Sequence, residues 1–145
     1  MKVTDNIETV EIQTNFRGVA ETYHLTLLWN DEQAVLMDAG IPRQTHHVFE
    51  TIEKKGISRE KLGTVILTHQ DLDHIGGIQE LRNALKTDIE VMTHPLEVPY
   101  IEGKERLIKF TPAVLAQMES TMPADLPEER KKAMINFFHH PPTTK

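Results

Sequence analysis

Thr68-His69-Gln70-Asp71-Leu72-Asp73-His74-Ile75-Gly76-Gly77 places four groups able to ligate a metal within six positions. The run before it, Thr64-Val65-Ile66-Leu67, is short, β-branched and apolar, which predicts a buried strand with the polar cluster in the loop beyond its carboxyl end. In an extended backbone His69, Asp71 and Asp73 lean to one side by period-two alternation, and one break swings His74 toward them. A regular helix would set Asp71 opposite His69 and Asp73, so the cluster is predicted to be non-helical. Gly76 and Gly77 permit tight turning and close backbone approach. Mixed imidazole and carboxylate donors suit zinc, manganese or iron, and the absence of cysteine leaves the choice of metal open. An EF-hand reading fails, because Ile75 stands where an oxygen ligand belongs and Arg82 where the closing glutamate belongs.

On these residues the chain resembles the metallo-β-lactamase-fold hydrolase superfamily, whose signature after a strand is HxHxDHxGG. Here the positions are His69, Asp71, Asp73 and His74, followed by Gly76 and Gly77; Asp71 stands where most of the family has histidine. The resemblance extends to Asp38-Ala39-Gly40, whose aspartate supports the site in the family without ligating. It implies that His69, Asp71, Asp73 and His74 hold two divalent ions, zinc by default, and that Asp73 is the catalytic carboxylate. The implied fold is α/β (α+β), a four-layer αββα sandwich of two similar halves. Only the first half, with a helical insertion, is covered.

A length of 145 residues and a formal charge of −6 bound the remaining possibilities. The size predicts a single domain, incomplete by the resemblance, with a β-rich half over 1–94 and helices over 95–140. The negative charge and scattered basic residues argue against nucleic acid. No apolar window approaches a membrane span, Met1 to Asp5 carries no signal region, and zero cysteines fit a reducing compartment, so a cytoplasmic protein is expected.

Outward from the cluster, strands are predicted at Ile7 to Gln13, Tyr23 to Trp29, Ala34 to Met37 and Ile89 to Met92, with Asn30-Asp31 turning a hairpin. Pro42 opens a helix through about Lys55, with Val48, Phe49 and Ile52 on its apolar face. Ile78, Leu81, Ala84 and Leu85 make a second helix, which completes a βαβ unit. Thr111-Pro112 caps a helix over Ala113 to Glu119, and Glu128 to Phe138 forms the last one, its Met134, Ile135, Phe137 and Phe138 needing a partner surface. His24, His46 and His47 read as surface or strand residues. His94, just past the last strand, is a candidate site-wall residue or further ligand. His139 and His140 are expected in a disordered terminus before Pro141 and Pro142.

A catalytic zinc wants three protein ligands plus water, whereas His69 with Asp71 and Asp73 with His74 supply two each. The resemblance places the missing ligands in the second half, which implies a truncated or fragmentary chain with weak metal binding. An exposed sheet face would then favour a homo-oligomer. The expected function is metal-dependent hydrolysis of a small-molecule ester, thioester or lactone. The alternative is a non-enzymatic half-domain that self-associates and at most binds metal weakly.

Overall fold

Alternation of apolar and polar side chains over the first third of the chain builds a hairpin-led sheet, and two helix-period segments then return the chain across one side of it. The computed structural model describes residues 2–16 and 18–140. Strands β1 (Lys2–Thr4), β2 (Ile7–Phe16), β3 (Val19–Trp29), β4 (Ala34–Met37), β5 (Leu62–Leu67) and β6 (Glu90–Thr93) lie side by side in sequence order. The pairs from β1 to β4 are antiparallel, whereas β4, β5 and β6 run parallel.

Helix α1 (His46–Lys54) connects β4 to β5, and α2 (Leu72–Ile75) with α3 (Ile78–Ala84) connects β5 to β6. Register fixes what the helices cover: Leu27 opposes Leu36, Leu36 opposes Val65, and Val10 opposes Leu25. These side chains are buried in one cluster with Val48, Phe49 and Ile52 of α1 and Ile78 and Leu81 of α3. Alternation puts Leu28, Val35, Met37, Ile66 and Met92 on the opposite side, where they are half-buried apart from Met92, which is 49% exposed. A recess of about 200 Å³ on that side is lined by Leu28, Trp29, Asn30, Gln33 and Val35.

The remaining chain forms α4 (Val98–Ile101), α5 (Pro112–Ser120) and α6 (Glu128–His139). Thr111 caps α5 by accepting from Val114 N at 3.3 Å. The apolar edge of α6 meets Phe110, whose ring lies 5.7 Å from that of Phe138.

Four sequence expectations are corrected. The α1 helix starts at His46, not at Pro42, because Arg43 adopts a left-handed φ of 66° and its N–H donates to the Glu80 carboxylate. The first two predicted strands are longer than their periodicity indicated and form a hairpin of their own, with β2 and β3 paired out to Phe16 and Val19 around Gly18, whose φ is 82° and whose N–H donates to Asn15 Oδ1 at 2.9 Å. The polar loop is partly helical, since α2 contains Asp73 and His74. His139 belongs to α6 and pairs with Glu119 at 3.1 Å; Pro141 and Pro142 lie outside the described residues.

Candidate metal centre

Parallel strands bring their carboxyl ends to one edge of a sheet, and at that edge β4 delivers Asp38 while β5 delivers Thr68 and His69. Asp38 takes a left-handed φ of 64°, which an aspartate tolerates better than most residues, and its N–H donates to Ile66 O at 2.8 Å. Its carboxylate accepts from Thr68 N at 2.8 Å and from Thr68 Oγ1 at 2.9 Å. Thus the two strand ends are tied together by a side chain.

The loop after β5 folds back on β4. Ala39 N donates to His74 O at 2.7 Å, and Gly77 N donates to Gly40 O at 3.1 Å. Both glycines are needed for this approach and not for turning. A β-carbon on Gly77 would stand 2.2 Å from Ala39 O, and one on Gly76 would stand 2.5 Å from Pro42 Cδ, while their φ angles of −87° and −62° are ordinary.

His69 and His74 lie ring against ring, with centroids 3.9 Å apart. His69 Nε2 is 3.2 Å from Asp71 Oδ2, and His74 Nε2 is 3.4 Å from Asp73 Oδ2. On the other side of each ring Nδ1 has its own partner: Asp38 Oδ2 at 2.8 Å for His74, and Thr68 Oγ1 at 3.0 Å for His69. We assign the Thr68 hydroxyl proton to Asp38 and the imidazole protons to Nδ1, which satisfies the contacts among Thr68, Asp38 and the two Nδ1 atoms. Both Nε2 lone pairs then face carboxylate oxygens. Two such acceptors at that separation call for a cation or a proton shared between them, and outer partners at Nδ1 are the usual means of orienting metal-binding histidines. The residues therefore fit a divalent ion in kind. They do not reach a full set: among the described residues no three His, Cys, Asp or Glu side chains are arranged together to hold one ion.

Sequence reading named His69, Asp71, Asp73 and His74 as a cluster and Asp38 as its support. The structure brings all five to one edge. It also adds residues that no local pattern announced. Gln70, 3% exposed, uses its backbone N–H to reach Glu97 Oε2 at 2.9 Å and its side-chain Oε1 to accept from Ile108 N at 2.6 Å. Next to it the Lys109 ammonium donates to Asp71 Oδ2, and that hydrogen bond, with the charge of Asp71, raises the lysine pKa. Tyr23 on β3 donates to Glu21 Oε2 at 2.6 Å; this bond raises the phenol pKa from 10.0 to about 12, and the Asp73 charge adds to the effect. His94 is exposed, its Nδ1 accepting from Leu96 N at 3.2 Å, and His24 lies 3.7 Å from Glu11. His46 and His47 stack on each other at the start of α1, their ring centroids 4.1 Å apart.

The profile of the metallo-beta-lactamase superfamily matches residues 22–141. The probable metallo-hydrolase YflN of Bacillus subtilis (strain 168) is 33% identical over 87 residues, which cover 60% of this chain and 32% of that protein. Among solved structures, a metallo-beta-lactamase of Cronobacter sakazakii superposes with a TM-score of 0.58 at 18% identity, over 71% of this chain and 37% of that one. A subclass B3 metallo-beta-lactamase of Bradyrhizobium japonicum gives 0.57 at 22% identity, over 73% of this chain and 36% of that one. At such identities the likeness is one of fold. The match spans about a third of the length of the curated relative, 32%.

Proposed function

Because this chain belongs to the metallo-beta-lactamase superfamily, we propose that it is a metal-dependent hydrolase of small-molecule esters, thioesters or lactones. The observation that carries the reading is the pairing of two oriented imidazoles with two carboxylates at the carboxyl edge of the parallel strands. His69 with Asp71 and Asp73 with His74 would hold divalent ions, zinc in the first instance, with manganese or iron as substitutes. A bound divalent ion supplies Lewis acidity, bringing the pKa of water toward ~7 and polarising a carbonyl.

The chain's own residues supply the rest. Asp38 and Thr68 hold the two histidines in the tautomer that leaves Nε2 unprotonated. Asp73, 41% exposed at the mouth of the cluster, aligns the attacking water and takes its proton, which its contact with solvent lets it release. Gln70 fixes the loop from below, so that the carboxylates keep their places. The absence of cysteine fits a cytoplasmic location, and no helix among the described residues is long and apolar enough to cross a membrane.

The test is hydrolysis of a chromogenic ester, thioester and lactone by the zinc- or manganese-supplemented chain, with His69→Ala and Asp73→Ala alongside. Turnover that falls by about 10²-fold or more in both variants is expected. Metal uptake without turnover would favour a second reading, a non-enzymatic module that works by self-association. What supports that reading is the uncovered sheet face bearing Leu28, Val35, Met37, Ile66 and Met92.

A further inference from the structure

The two acceptor pairs of the cluster are not equivalent. Asp71 Oδ2 faces His69 Nε2 at 3.2 Å and also receives the ammonium of Lys109. That lysine arrives from the connection between α4 and α5, on a segment the ligand loop itself pins down: Ile108 N donates to the buried Gln70 side chain, and Gln70 N donates to Glu97. The backbone beside Lys109 is therefore anchored to the ligand loop, and from there its side chain, 75% exposed, reaches over the surface to Asp71, which is 13% exposed. Asp73 pairs with His74, which also pairs with Asp38, and the Lys109 charge acts on Asp73 without the hydrogen bond it gives to Asp71.

We propose that Lys109 is the resident cation of the His69–Asp71 pair. Its ammonium supplies the positive charge that this pair would otherwise draw from a second divalent ion. The Asp73–His74 side is then the first to take metal, and the His69–Asp71 side takes it only when the lysine is displaced. An ammonium and a divalent ion compete for one carboxylate oxygen, because like charges at contact distance repel each other, and the exposed, flexible lysine is the one that can move away. This inference rests on the proposed reading of the cluster as a metal centre, and it adds a residue that sets how many ions the centre holds and in which order.

The experiment is a zinc titration of the full chain, of Lys109→Met and Lys109→Gln, which remove the charge, and of Lys109→Arg, which keeps it. Calorimetry gives stoichiometry and affinity, and the imidazole ¹⁵N resonances say which ring responds. For the unaltered chain and for Lys109→Arg, His74 shifts at lower zinc than His69. In Lys109→Met and Lys109→Gln the His69 side is expected to bind several-fold more tightly, the scale of an exposed ion pair, so the two rings shift closer together in the titration. The same order of binding and the same affinity in all four proteins would overturn the role of Lys109 while leaving the metal centre standing. No zinc on any of the four would overturn both.

Discussion

At Gly77 the ligand loop passes so close to the turn after β4 that any side chain is excluded, and the obstacle is the Ala39 carbonyl, a backbone atom with no rotamer to change. Gly77→Ala is therefore expected to destabilise the fold by about 3 kcal/mol, at the upper end of overpacking costs. Chemical unfolding at neutral pH measures it, and an unchanged midpoint would contradict the close approach. At this scale the sequence was informative wherever chemistry was contiguous. His69, Asp71, Asp73 and His74 stand within one loop, and their residue types announce ligation. Lys109 and Gln70 were not legible, because Lys109 meets Asp71, and Ile108 meets Gln70, across 38 positions, and a lysine or glutamine has no pattern of its own. Thr68 adjoins the cluster, yet its role as the link between Asp38 and both imidazoles needs the two strand ends side by side.

Among the elements, α1 shows how a helix is both packed and clamped. Val48, Phe49 and Ile52 bury its inner face, and just past its carboxyl end Lys55 reaches across to Glu8 on β2 at 2.7 Å. The Lys55 hydrogen bond lowers the Glu8 pKa below its ordinary value of 4.5. A carboxylate whose folded pKa is depressed contributes stability that is complete above the unfolded pKa and disappears as pH falls through the folded one. Glu8→Gln should accordingly be less stable than the unaltered chain from about pH 7 down to about pH 5, with the gap closing in more acid solution. Urea unfolding across that range tests it; a gap that widens in acid would show that the pair does not act in this way. Element types were readable from periodicity, and boundaries failed where local backbone geometry decided them. Pro42 looked like a helix start, but the left-handed Arg43 and its bond to Glu80 delay α1 by a turn. The α2 turn was hidden because a four-residue helix is too short to show a period.

On the scale of the whole molecule, one side of the sheet is closed by helices and the other carries an apolar band. The band crosses four strands, β3 to β6, about 15 Å at the usual spacing of about 4.8 Å, and a contiguous apolar strip of this kind marks a surface for a partner. We expect a second copy of the chain to cover it, with Val35 and Ile66 central. Sedimentation at micromolar concentration should show a dimer that Val35→Glu with Ile66→Lys dissociates, and a monomer at every concentration would remove the expectation. The layered α/β class followed from the βαβ order alone, whereas the uncovered side could be recognised only once register had placed Leu28, Val35, Met37 and Ile66 together. The recess at the end of that band adds something practical. Trp29, the chain's lone indole, lines it while packing against the core, so the molecule carries its own optical probe at the rim of the band: the colour of its fluorescence will report a change in water at that rim, without any label.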